Sequence, residues 1–130
     1  MCRESMKSLN EYCMMINLPE IEEGQGPVVM LNLVRFKDKR IYLEEYVPAF
    51  NDVVKQLGIT GVNVVLVSDV IANVVAEAGE VWDAVVLVEY PSAEAFKAIA
   101  TSSVYHALAN PLREAATADL KLFMTRRSAL

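Results

Sequence analysis

At 130 residues the chain has the length of one domain, and 54% of it is apolar, with a mean hydropathy of +0.28. A small domain has much surface for its volume, so this much apolar side chain asks for a dense core or for a partner. The net charge of −5 argues against a nucleic-acid face, which needs basic charge. No apolar run approaches the roughly 18 residues that cross a bilayer, so neither nucleic acid nor membrane is an expected partner.

Residues 1–27 read as an extension. Met6, Leu9, Cys13 and Ile16 recur at helical spacing, Ser5 can cap the segment and Pro19 ends it. Glu20 to Pro27 reads as a polar linker. Arg3, Glu4 and Lys7 mix charges, and Cys13 to Leu18 is too short and too interrupted for the apolar core of a secretory leader, so the expected location is cytoplasmic. Cys2 and Cys13 fall on one predicted helix, which holds them apart and makes a disulfide between them unexpected.

The domain itself is read as 28–130. Val28 to Phe36 has strand character. Leu43, Tyr46, Val47, Phe50, Val53, Val54 and Leu57 then follow a helical stripe, with a kink expected near Pro48 and an end at Gly58. Val62 to Val70 is the second strand, extendable through Val75 with a bend, and Ala78 to Glu80 is the hairpin turn. Ala84 to Tyr90 is the third strand. Pro91 stops it, and Ser92 caps the helix that carries Phe96, Ile99 and Ala100. Ser102 or Ser103 caps a further helical piece, with Tyr105, Leu108, Ala109, Leu112 and Ala116 on its stripe and a bend at Pro111. Ala118 to Thr125 is the last strand.

The order strand, helix, strand, strand, helix, strand is the split β-α-β arrangement of a ferredoxin-like α+β domain. Right-handed crossovers place strands one and three at the centre of a four-stranded antiparallel sheet. The strands are apolar on both sides: Val62, Val64 and Leu66 against Val65 and Val67 in strand two, Ala84, Val86 and Val88 against Val85 and Leu87 in strand three. Helices cover one face only. Roughly ten bare apolar side chains at about 1.5 kcal/mol each forgo up to about 15 kcal/mol, against an association cost of about 4–15 kcal/mol. A face-to-face homodimer is the expected solution.

These residues resemble the dimeric α/β-barrel superfamily, in which two ferredoxin-like protomers close their sheets into a barrel. Within it the chain is similar to the family named domain of unknown function 1330. The likeness runs over residues 28–125 and rests on Met30-Leu31-Asn32-Leu33, Tyr42 with Tyr46, Gly58, the corner Tyr90-Pro91-Ser92-Ala93-Glu94-Ala95-Phe96, then Tyr105, Arg113 and Ala116. Family members often carry a glycine pair after the first helix; here Gly58 and Gly61 are separated. The superfamily includes cofactor-independent monooxygenases, haem degraders, a lactone isomerase and a chlorite dismutase, with pockets between sheet and helices. The resemblance implies a homodimer with such a pocket for a small organic molecule, and assigns no reaction. Haem degraders of the group use an asparagine, a tryptophan and a histidine; Asn32, Trp82 and His106 are the counterparts, with a longer tryptophan-to-histidine spacing here.

Candidate chemistry is sparse. No cluster has metal-ligand spacing, no phosphate loop or serine nucleophile motif occurs, and no cofactor is expected. Asn32 is the polar residue in an otherwise apolar strand, and either hydrogen-bonds within the fold or meets a ligand. Arg35 and Asp83 fall together if strands one and three pair from Phe36 to Trp82, as a sheet-end ion pair. A pocket, if formed, is expected near Asn32, Tyr42, Trp82, Tyr105 and Arg113 as binding residues. His106 is the one histidine and the one proton carrier with an ordinary pKa near neutrality. Arg113 would attract an anionic or carbonyl group. Three functions follow: a ligand-binding protein, a monooxygenase or isomerase acting on a small organic substrate, or a structural dimer whose own aromatics fill the pocket.

Overall fold

Nine residues of apolar sequence, Val28–Phe36, form β1 of the computed structural model, which describes Glu20 and residues 24–129. The predicted helix bearing Met6, Leu9, Cys13 and Ile16 lies outside the described residues. A continuous helical run follows, α1 (39–56), with Lys39–Ile41 in α-geometry, Tyr42–Tyr46 as a π-turn and Val47–Gln56 again α. Then come β2 (Asn63–Asp69), β3 (Ala84–Tyr90), α2 (Ala93–Ala100), α3 (Ser103–Leu108), α4 (Asn110–Ala116) and β4 (Thr117–Thr125). The strands make one antiparallel sheet in the order β2-β3-β1-β4. This is the ferredoxin-like α+β topology that the element order predicts.

The β1–β3 register, Val28 opposite Tyr90 through Val34 opposite Ala84, continues the alignment expected from Phe36 and Trp82. The expected Arg35–Asp83 ion pair does not form. A carboxylate oxygen of Asp83 accepts from the Phe36 N–H at 2.8 Å, and the Asp83 N–H donates to the Val34 carbonyl at 2.8 Å. The backbone N–H is a fixed donor at the sheet end, and it takes the carboxylate that a mobile arginine would need to order itself to reach.

Two phase shifts separate the strands and helices from simple periodicity. In β2 the pairing passes from Val64–Val88 to Leu66–Leu87, so one residue is extra. The bulge sets Val64 and Val67 on one face and Leu66 on the other, where strict alternation separates Val64 from Val67. In α1 the expected kink takes the form of the π-turn. Pro48 has no N–H and its ring crowds the carbonyl of Glu44, and the wide turn that contains Glu44 relieves that clash. The extra residue shifts the stripe: Leu43, expected inside, is 42% exposed, and Tyr42, expected off the stripe, is buried.

Local chemistry sets the remaining ends. Asp38 caps α1, accepting from the N–H groups of Arg40 and Ile41 at 3.0 and 3.2 Å. Ser92 accepts from Ala95 N–H and Ser102 from Tyr105 N–H, each at 3.0 Å. Gly58 ends α1 at φ +69°. Pro111 divides the third helical piece into α3 and α4, either side of the fully buried Ala109. β2 stops at Asp69 rather than running on to Val75, and 70–83 forms a loop that turns at Gly79.

The core lies between the helices and one sheet face. Val28, Met30, Val53, Tyr90, Phe96 and Ile99 fill one end of it, and Val34, Tyr42, Ala84, Val86 and Ala116 the other. Alternation sends Leu31, Leu33, Val85 and Leu87 to the opposite face, where Phe123 and Leu66 join them in the register. No helix among the described residues covers that face.

Candidate functional site

The helices do not close fully on the sheet. They leave a cavity of about 750 Å³, within the range of small-molecule sites. Met30, Asn32, Val86 and Val88 of the two central strands form its floor. Tyr42, Tyr46 and Phe50 of α1 make one wall, and Phe96 and Ile99 of α2 with Tyr105, His106 and Arg113 make the other.

Asn32 is the polar point of the floor. Its amide nitrogen donates to the carbonyls of Val86, 3.1 Å away, and Met30, 3.3 Å away. Across the cavity the hydroxyls of Tyr46 and Tyr105 are 3.0 Å apart and hydrogen-bonded. Rings run on from there in contact: Phe36 to Tyr42, Tyr42 to Tyr46, Tyr46 to Phe50, Phe50 to Tyr90 and Tyr90 to Phe96, with centroids 5.2–6.5 Å apart. Burial, and next the nearby Tyr105, push the Tyr42 phenol up from 10.0 to about 12. Burial likewise holds Tyr46 and Tyr90 well above the ordinary range. The phenols are therefore neutral hydrogen-bonding groups near neutral pH and not nucleophiles.

His106 stands at the rim, exposed, with its ring edge-on to that of Tyr105 at 6.0 Å. Arg113 is half-buried. Its Nε and Nη2 both donate to Asn110 Oδ1, at 3.2 and 3.0 Å, which fixes the plane of the guanidinium. Among the described residues no group of histidine, cysteine and acidic side chains could hold a metal ion. No helix among them is long and apolar enough to cross a membrane.

A model of the family described as Domain of unknown function (DUF1330) matches residues 28–125. The chain belongs to this family. Among curated proteins no sequence matches it. The crystal structure of RPA0582, a protein of unknown function from Rhodopseudomonas palustris, is similar at 28% identity and a TM-score of 0.69, covering 82% of this chain and 85% of that one. Methylated RPA0582 gives 28% identity and a TM-score of 0.67, over 80% and 82% of the two chains. A DABB family protein with a ferredoxin-like fold from Mesorhizobium loti is 13% identical, with a TM-score of 0.53 over 81% of this chain and all of that one; it shares the fold alone.

Several residues that carry the DUF1330 likeness meet at the cavity: Asn32, Tyr42, Tyr46, Tyr90, Phe96, Tyr105 and Arg113. Asn32 and His106 line it together. Trp82 does not. It borders a shallow depression with Arg35, Asp119 and Lys121, whose places in the register belong to the open face. There its indole N–H donates to Glu80 at 2.9 Å, and the Lys121 ammonium lies 5.6 Å from the ring. That indole bond, with the Glu77 N–H behind it, holds the Glu80 carboxyl below its usual range. The loop that carries Trp82 crosses the end of the sheet, so a tryptophan next in sequence to a central strand is not next to the cavity. Two residues at the site have roles that the sequence reading missed. Asn110, three residues before Arg113 on one helix, orients it, a spacing that was there to be read. Tyr46, whose place on the stripe favours core packing although it also offers a hydroxyl, pairs that hydroxyl with Tyr105.

Proposed function

We propose that this DUF1330 protein is a cytoplasmic homodimer that binds a small organic molecule in the cavity of each protomer. The observation that carries the ligand reading is that the cavity stands open although aromatic rings border it. A purely structural dimer would fill that space with its own side chains. Apolar walls supply affinity, and a few fixed polar groups, Asn32, the Tyr46–Tyr105 pair and Arg113, supply orientation.

The dimer reading rests on the open sheet face. Leu31, Leu33, Val85 and Leu87 lie there, with Phe123 49% and Leu66 43% exposed. Ile71, Val74 and Val75 in the adjoining loop are 94%, 91% and 95% exposed. A contiguous apolar surface of this kind marks an interaction site. Extraction of the purified full chain followed by mass spectrometry tests the ligand reading: a co-purifying organic molecule in stoichiometric amount is the expected result. Failure of any apolar small molecule to bind would remove it.

A second reading, a monooxygenase or isomerase, has one observation in its favour. His106 at the rim, against Tyr105, could carry a proton to or from a bound molecule. Conversion of the co-purifying compound by the native chain, lost in His106→Gln, is its test.

A further inference from the structure

We propose that the cavity takes an amphipathic monoanion, best a carboxylate, that also carries a hydroxyl or N–H donor. Its anionic group is held by Arg113 and its donor is received by Asn32 Oδ1. This rests on the reading of the cavity as a ligand site and names the chemistry that would fill it.

The amide of Asn32 has only one sensible orientation. Both of its near partners, the carbonyls of Val86 and Met30, are acceptors, so the nitrogen must face them. Oδ1 then points away from those bonds. Among the described residues nothing donates to it, and no fully buried side-chain N or O among them lacks a partner, so Oδ1 is open to the cavity. An acceptor left open in a mostly apolar floor selects a ligand with a donor, because an apolar group placed there leaves it unpaired.

The charge of the lining points the same way. The whole chain has 17 Asp and Glu against 12 Lys and Arg. Yet no carboxylate among the described residues lines the cavity, and the Arg113 guanidinium does. Arg113 has no carboxylate within ion-pair distance among the described residues. Its partner Asn110 is neutral, so the bond orients the guanidinium without cancelling its charge. Nη1 keeps its hydrogens for a ligand, and a planar carboxylate matches that geometry. Neutral phenols in the walls leave this positive field intact.

The test is calorimetric titration of the full chain with decanol, decanoate and ω-hydroxydecanoate, repeated on Arg113→Gln and Asn32→Leu. Decanoate should bind about tenfold or more tightly than decanol, and the hydroxy acid more tightly again. Arg113→Gln should abolish the preference for the acid, bringing decanoate down to the affinity that the same variant has for decanol. Asn32→Leu should remove the advantage of the hydroxyl. If that variant does not fold, the hydroxy acid against the plain acid on the native chain still decides the point. Equal binding of acid and alcohol overturns this proposal and leaves the cavity as a ligand site. Binding of none of the probes overturns both.

Discussion

The Tyr46 and Tyr105 hydroxyls, 59 positions apart in sequence, lie 3.0 Å from each other and join α1 to α3 across the cavity. Both rings are partly buried, so the bond replaces water that neither hydroxyl can easily regain. Tyr105→Phe should destabilise the fold by about 1 kcal/mol in urea unfolding. Tyr46→Phe should do the same, and the double variant should lose much less than the sum. Additive losses would show that the hydroxyls act separately.

Stability should fall in alkali. The Tyr42 phenol ionises at 10.0 when unfolded and at about 12 when folded. Its folded value is raised, so its contribution is complete below pH 10 and is lost as pH rises through about 12. Between those values the unfolded chain has released a proton that the folded chain retains, and unfolding gains from each further rise in pH. The loss is on the order of 3 kcal/mol for this group. Denaturation midpoints over an alkaline series should drop, and Tyr42→Phe should flatten the drop.

The open face predicts assembly. Sedimentation should give a species of twice the 14.4 kDa chain mass. Leu31 and Leu87 are opposite each other in the register at the middle of that face. A glutamate at either position buries an unpaired charge in the dimer and should yield monomer. A natural chain that sediments at 14.4 kDa at micromolar concentration contradicts the dimer.

Gly61 should resist substitution. It sits at φ +86°, and an added Cβ would lie 3.3 Å from the Pro91 Cβ. Gly61→Ala therefore combines an unfavourable backbone region with a tight contact against a rigid ring, and should lower stability by about 1–2 kcal/mol in thermal or urea unfolding. Gly58 shows no such neighbour, so Gly58→Ala should lower it less.

How far the sequence could be read depended on whether a residue's neighbours follow from periodicity. Strand order and the β1–β3 register were legible, because Phe36 and Trp82 bound the two apolar runs and crossover handedness does the rest. The β2 bulge was not legible, since a run of valines looks alike in either phase. The π-turn was hidden for a related reason: Leu43 fits a 3.6-residue stripe as well as Tyr42 fits the shifted one. Asn32 stood out because it is polar in an apolar strand. Trp82 was misplaced because the path of the 70–83 loop obeys no period, and only the packing against Lys121 shows where it goes.

The orientation of Asn32 can be tested through its own chemistry. Asn32→Asp keeps the shape of the side chain and exchanges the donor for a second oxygen. That oxygen would face the carbonyls of Val86 and Met30, now 3.1 and 3.3 Å from the amide nitrogen, and would repel both while charged. Protonation removes the repulsion and restores a donor, so the introduced carboxyl should have a raised pKa in the fold. A raised folded value means that stability is present below the unfolded carboxyl's value of about 4 and is lost as pH rises through the folded one. The variant should therefore be weaker than the natural chain by about 1–3 kcal/mol near pH 7 and approach it as pH falls toward about 4. Thermal unfolding of both chains across that range is the measurement. A variant as stable as the natural chain at neutral pH would mean that the amide nitrogen does not face those carbonyls, and Oδ1 would lose its claim on a ligand.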